Sequence, residues 1–112
     1  MTATPCSPGQ PFCFAVLRER GEVVVVLIGE LDPASVDVLE HEVRRLRMAG
    51  LDRVVVDLRP VEFMDSTGLR LLISLRNTAR REGHHLTIVP GSRQVQRIFD
   101  LTATRGLFDW RD

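Results

Sequence analysis

The sequence contains no lysine and no tyrosine, so its 15 lysine-or-arginine positions are all arginine. Arginine pairs with planar oxyanions through a rigid fork, where lysine would act as a point charge. Net charge is also missing: 15 acidic residues balance the 15 arginines. That neutrality argues against a sequence-independent nucleic-acid binder, which needs excess positive charge. No window approaches the roughly 20 apolar residues that span a bilayer, so no membrane segment is expected. The start, Met1 to Gln10, lacks a basic region and an apolar core and does not read as a secretory signal. The expected compartment is the cytoplasm. Cysteine is sparse: Cys6 and Cys13 have no nearby histidine to complete a metal set. They read as a tail thiol and a small buried hydrophobe in preference to a disulfide or redox pair. No metal and no cofactor is expected.

What is present is enough for one compact domain: 112 residues, of which 44% are hydrophobic. Residues 1–11 hold three prolines and read as a flexible lead-in, and 12–112 as the domain. Phe12 to Arg18 predicts a first strand, Arg20-Gly21-Glu22 a polar turn, and Val23 to Ile28 a second strand. The second strand is apolar on both faces, which suits a central position, and the short turn makes the pair antiparallel. Asp32 before Pro33 signals a helix start, and Val36, Leu39, Val43 and Leu46 form one helical stripe that Gly50 closes. A third strand spans 53–58. A second helix runs from about Ser66 to Glu82 and stops at Gly83. Leu86 to Val89 is a fourth strand, and Ser92 caps a third helix with Val95, Ile98 and Phe99 inward. Leu107 to Trp110 is a short terminal strand or turn. Strands alternating with helices need crossovers, so the second to fourth strands should be parallel. The expected class is α/β: a small mixed sheet, its first strand antiparallel and the others parallel, flanked by helices.

The chemistry concentrates in Val61-Glu62-Phe63-Met64-Asp65-Ser66-Thr67-Gly68-Leu69. A strand, a short loop and hydroxyls at a helix start can present Ser66 to a phosphate donor. The first helical turn has unpaired N–H groups and partial positive charge, and it accommodates a phosphate. The plainer reading is a helix cap by Asp65 or Ser66. Gly68 stands early in the helix, where glycine costs about 1 kcal/mol against alanine. A close approach by another molecule would account for it. Glu30 and Asp32 end the second strand, at the side of the sheet where ligand and partner sites gather. Metal binding or acid–base work by this carboxylate pair is less favoured than capping by Asp32 together with partner contact. Asp57 is expected to brace the loop after the third strand. Phe63 and Met64 are either core plugs or an exposed docking patch. A hydrolase is disfavoured: the serine is not in a Gly-x-Ser-x-Gly elbow, and His84 and His85 belong to the far end of the sheet. His41, Arg93 and Arg97 read as solvated.

Gly29-Glu30-Leu31-Asp32, Val55-Val56-Asp57-Leu58, Phe63-Met64-Asp65-Ser66-Thr67-Gly68-Leu69 and Val95-Gln96-Arg97-Ile98-Phe99-Asp100-Leu101 together resemble the STAS domain family, nearest its bacterial anti-sigma factor antagonists. The resemblance implies a single STAS-like domain with no enzymatic activity. It implies that Ser66 is phosphorylated by a serine kinase that is also the anti-sigma factor, and that a phosphatase restores it. It implies partner binding around Glu30, Asp32, Met64, Asp65, Ser66, Thr67 and Gly68. The alternative within the family is a scaffold subunit, not phosphorylated, of a signalling or lipid-transport complex. The longer lead-in and the His84-His85 pair depart from the family pattern.

Overall fold

A computed structural model describes residues 2–3 and 12–111. The strands are β1 (Thr2–Ala3), β2 (Phe12–Glu19), β3 (Glu22–Glu30), β4 (Arg53–Asp57), β5 (Val61–Phe63), β6 (His85–Val89) and β7 (Asp109–Trp110). The helices are α1 (Pro33–Met48), α2 (Ser66–Glu82) and α3 (Arg93–Leu101), with a 3-10 turn at Arg105–Leu107. The sheet order is β1-β2-β3-β4-β6-β7, and β5 adds to β3 beyond the end of β4. β2 pairs antiparallel with β3, while β4, β5 and β6 join the sheet in parallel. The expected mixed sheet is therefore the observed one. Within the expected lead-in, Thr2 and Ala3 pair with Val16 and Ala15 of β2. Residues 4–11, with Cys6, lie outside the described residues.

β3 is central, as its apolar run requires, but its two faces differ. Val23, Val25 and Leu27 are buried, with Val54 and Val56 of β4 and Ile88 of β6 beside them in the core. Leu39, Val43 and Leu46 of α1, Leu72 and Leu75 of α2 and Phe99 of α3 close over that face. Val24, Val26 and Ile28 on the other face are only half-buried. Each helix begins with a side-chain cap: Asp32 on α1, Asp65 on α2 and Ser92 on α3. α2 runs from Ser66 to Glu82, with Gly83 at its C-cap, as its periodicity predicts.

The chain end is anchored more firmly than its short sequence pattern suggests. Phe99, Phe108 and Trp110 pack edge to face, with ring centroids 5.0–5.9 Å apart. The Arg111 guanidinium donates two hydrogen bonds of 2.7 Å to the Glu22 carboxylate, tying the C-terminal segment to the β2–β3 turn. Cys13 is buried, as expected of a small hydrophobe, but it is disulfide-bonded and not a free thiol. Sequence spacing alone does not report that bond, because a cysteine's oxidation depends on where the fold places a second sulfur. No helix among the described residues is long and apolar enough to cross a membrane.

Candidate functional site

The parallel arrangement gathers three segments at one end of the sheet: the end of β3, the strand β5, and the start of α2. Gly29 makes the join possible. It has φ +99°, a left-handed conformation that glycine adopts without strain, and the register shifts there. Its N–H donates to the Pro60 carbonyl (3.2 Å), and the Leu31 N–H donates to the Phe63 carbonyl (3.2 Å). Glu30 and Phe63 thereby become register partners, both exposed. β5 is an element that sequence reading misses, as it misses β1. It has three residues, follows a proline, and exists because the β3 bulge presents it with an edge.

At the start of α2, the Asp65 carboxylate accepts a hydrogen bond from the Thr67 N–H (2.9 Å). That cap frees Ser66 from capping duty. Ser66 is the first helical residue and is exposed, as is Asp65, with Thr67 half-buried. The hydroxyl therefore stands at the positive end of the helix dipole with solvent in front of it.

Asp32 does the corresponding work for α1. Its Oδ1 accepts from the Ser35 N–H (2.8 Å) and the Ser35 hydroxyl (2.6 Å). Those hydrogen bonds, the hydroxyl first, hold the Asp32 carboxyl below its ordinary value. Capping by Asp32 is thus observed.

Phe63 and Met64, open between core and surface in the sequence, divide. Phe63 is 46% exposed and Met64 only 7%. Met64 lies under the start of α2, and Gly68 is what lets it fit. A Cβ at position 68 would run into Met64 Cγ, lie 3.0 Å from Met64 Sδ and 3.4 Å from Leu31 Cδ1. The early glycine therefore has an internal cause, where the sequence suggested an external one. Met64 and Gly68 hold the loop from below. Glu30, Glu62, Phe63, Asp65 and Ser66 are each exposed.

Asp57 braces the preceding loop as expected. It is 3% exposed and accepts from the Arg59 N–H (3.0 Å) and the Arg59 guanidinium (2.8–3.2 Å). Burial pushes its carboxyl up, but the Arg59 hydrogen bonds outweigh this and leave it below its ordinary value. His85 begins β6 opposite Arg53, the first residue of β4. Both histidines after α2 are therefore at the far end of the sheet from Ser66. His41, Arg93 and Arg97 are exposed.

Comparison with known proteins agrees with this architecture. The STAS domain family model matches residues 14–110. An anti-sigma-B factor antagonist of Staphylococcus epidermidis is 35% identical over 79 residues, covering 70% of this chain and 73% of its own. The anti-sigma-B factor antagonist of Bacillus subtilis is 29% identical over 94 residues, covering 84% and 85%. Among solved structures, the anti-sigma factor antagonist SpoIIAA in its unphosphorylated form superposes with a TM-score of 0.74 at 19% identity, covering 88% of each chain. An anti-sigma factor antagonist from Mycobacterium paratuberculosis gives 0.75 at 23% identity, covering 93% of this chain and 87% of its own. The chain belongs to the STAS domain family, and the relatives it resembles in sequence are anti-sigma factor antagonists.

Proposed function

We propose that this protein is an anti-sigma factor antagonist switched by phosphorylation of Ser66. In the unphosphorylated state it binds a serine kinase that is also the anti-sigma factor, and the sigma factor is released. The observation that carries the reading is the exposed Ser66 hydroxyl at the first residue of α2, with Asp65 supplying the cap in its place. The kinship with anti-sigma-B factor antagonists supports the partner class. SpoIIAA, whose fold this chain shares at a TM-score of 0.68, has also been solved in a phosphorylated form.

The chemistry divides between two proteins. The Ser66 oxygen attacks the γ-phosphorus of ATP, the bond to the β-phosphate oxygen breaks, and ADP leaves. The hydroxyl proton passes to a base of the kinase. This protein supplies the acceptor and the kinase supplies the catalysis. A phosphatase restores the Ser66 hydroxyl by hydrolysis: water attacks the phosphorus, the bond to the serine oxygen breaks, and inorganic phosphate leaves.

The switch itself is electrostatic. Phosphorylation adds about −1.5 to −2 charges at neutral pH. In the free protein the N-terminus of α2 offsets part of that charge. At the interface the phosphate arrives beside the Asp65 carboxylate, loses water, and has no cation assigned to it. Phe63 is the apolar anchor of the same surface, and Asp32 contributes from the adjoining helix cap. Recognition of such a surface resembles other interfaces in which one aromatic side chain sits within a polar rim.

Incubation with the cognate kinase and magnesium ATP, followed by intact mass and fragment mapping, tests the reading. One phosphate on Ser66 is expected, and none in Ser66→Ala. A wild-type protein that binds the kinase but takes up no phosphate would favour the scaffold role instead.

A further inference from the structure

The outward side of α2 is a single polar stripe that begins at Ser66. Ser66, Arg70, Asn77 and Arg81 are exposed along it, with Ile73 half-buried beside them. Leu69, Leu72, Leu75 and Ala79 are buried on the opposite side. Residues at spacings of three and four share one face of a helix, so Arg70 stands one turn along from Ser66. One turn advances about 5.4 Å along the axis.

Arg70 differs from other arginines of the chain. Arg44, Arg45, Arg59, Arg105 and Arg111 each form an ion pair with a carboxylate of the same chain. Among the described residues Arg70 has neither an ion pair nor a side-chain hydrogen bond. α2 carries no acidic residue before Glu82 at its end. The Asp65 carboxylate, the nearest acid in sequence, accepts from the Thr67 N–H. A guanidinium offers a planar fork of N–H donors that fits a carboxylate. The fork of Arg70 finds no acceptor among the described residues.

In the free protein water serves this exposed cation. In a complex it is desolvated. An interface of ordinary size covers about 800 Å² of each partner, a patch roughly 30 Å across. Any such interface centred on Ser66 takes in Arg70 and removes its water. A desolvated charge is costly unless it is paired. α2 supplies no acid there, so the partner must.

We propose that Arg70 determines which kinase binds, by pairing with a carboxylate that the kinase places within one helical turn of the Ser66 hydroxyl. This rests on the reading of Ser66 as the kinase's target. A kinase with a carboxylate there is held by parallel N–H···O bonds, and one with lysine or arginine there is rejected by like charge. In the complex Arg70 is committed to that carboxylate. A phosphate on Ser66 then finds no free cation and stands beside the partner's acid, which repels it.

Binding titrations of the kinase with full-chain variants test this. Arg70→Gln should weaken affinity roughly tenfold or more, since the partner's carboxylate is left buried and unpaired. Arg70→Glu should weaken it further by repulsion. Arg70→Lys should restore part of the affinity, as charge without the fork. Arg81→Gln removes the same charge roughly 16 Å farther along the stripe and should leave affinity unchanged. Melting temperatures of the Arg70 variants should match wild type, because the exposed side chain has no bond in this chain to lose. Arg70→Gln and Arg70→Glu that bind as tightly as wild type would overturn the proposal while leaving the Ser66 reading intact. So would an equal loss from Arg81→Gln, which reports general steering by charge. A wild-type protein that neither binds the kinase nor is phosphorylated by it overturns the Ser66 reading and the proposal together.

Discussion

Gly68→Ala sets two effects of opposite sign against each other. Alanine is about 1 kcal/mol better than glycine inside a helix. Overpacking a filled site costs about 1–3 kcal/mol. The added methyl would meet Met64 Cγ, which is close to the backbone and not a free side-chain end, and Leu31 Cδ1 behind it. The second effect should win. Urea unfolding should show Gly68→Ala less stable than wild type, and Met64→Ala in the same chain should recover part of the loss. A stabilised Gly68→Ala would return the glycine to the external role that its sequence position suggests. This residue also shows where sequence reading stops. The glycine's cost in a helix is visible in the sequence, but the atom it makes room for is four positions earlier and becomes its neighbour only when β5 and α2 are both in place.

Elements were legible in proportion to their length and to how local their signals are. α2 carries its cap, its stripe and its terminating glycine in consecutive sequence, and its limits follow from them. β5 carries three residues, and its pairing depends on the bulge at Gly29, so no local pattern marks it. The same dependence separates Phe63 from Met64: alternation says that they face opposite ways, and only the position of α2 says which way is in. Two variants test the site's elements. Asp32→Ala should destabilise the fold by about 1 kcal/mol in denaturant melts, the usual cost of a lost N-cap. It should also weaken kinase binding, and a loss of stability without any loss of affinity would confine Asp32 to capping. Phe63→Ala should do the reverse, lowering kinase affinity roughly tenfold or more with little change in stability, because its ring is substantially exposed in the free protein. Unchanged affinity in a titration would remove Phe63 from the interface.

For the whole molecule, stability should depend on pH through its paired carboxylates. Asp57 and Asp32 both lie below their ordinary values in the folded chain. A carboxyl depressed by folding stabilises fully above its unfolded pKa, about 3.9, and that contribution is lost as pH falls through the lower folded value. Unfolding free energy should therefore be flat near neutrality and fall below about pH 4. Asp57→Asn should make that fall shallower, and an unchanged slope would mean that Arg59 does not hold Asp57 in solution. The global fold was readable because the crossover rule turns an order of strands and helices into parallel pairing. The C-terminal anchor was not, because Arg111 and Glu22 are 89 positions apart and meet only in the finished sheet.

The central claim is that a phosphate on Ser66 breaks a partner interface without unfolding the protein. The direct measurement is one binding titration of the kinase with wild-type protein before and after phosphorylation, run beside thermal melts of both forms. Loss of affinity by tenfold or more, an unshifted or slightly raised melt, and phosphate confined to Ser66 are the expected results, with Ser66→Ala binding but taking up none. Undiminished affinity of the phosphorylated form, or phosphate on Thr67 or Ser74 in its place, would contradict it.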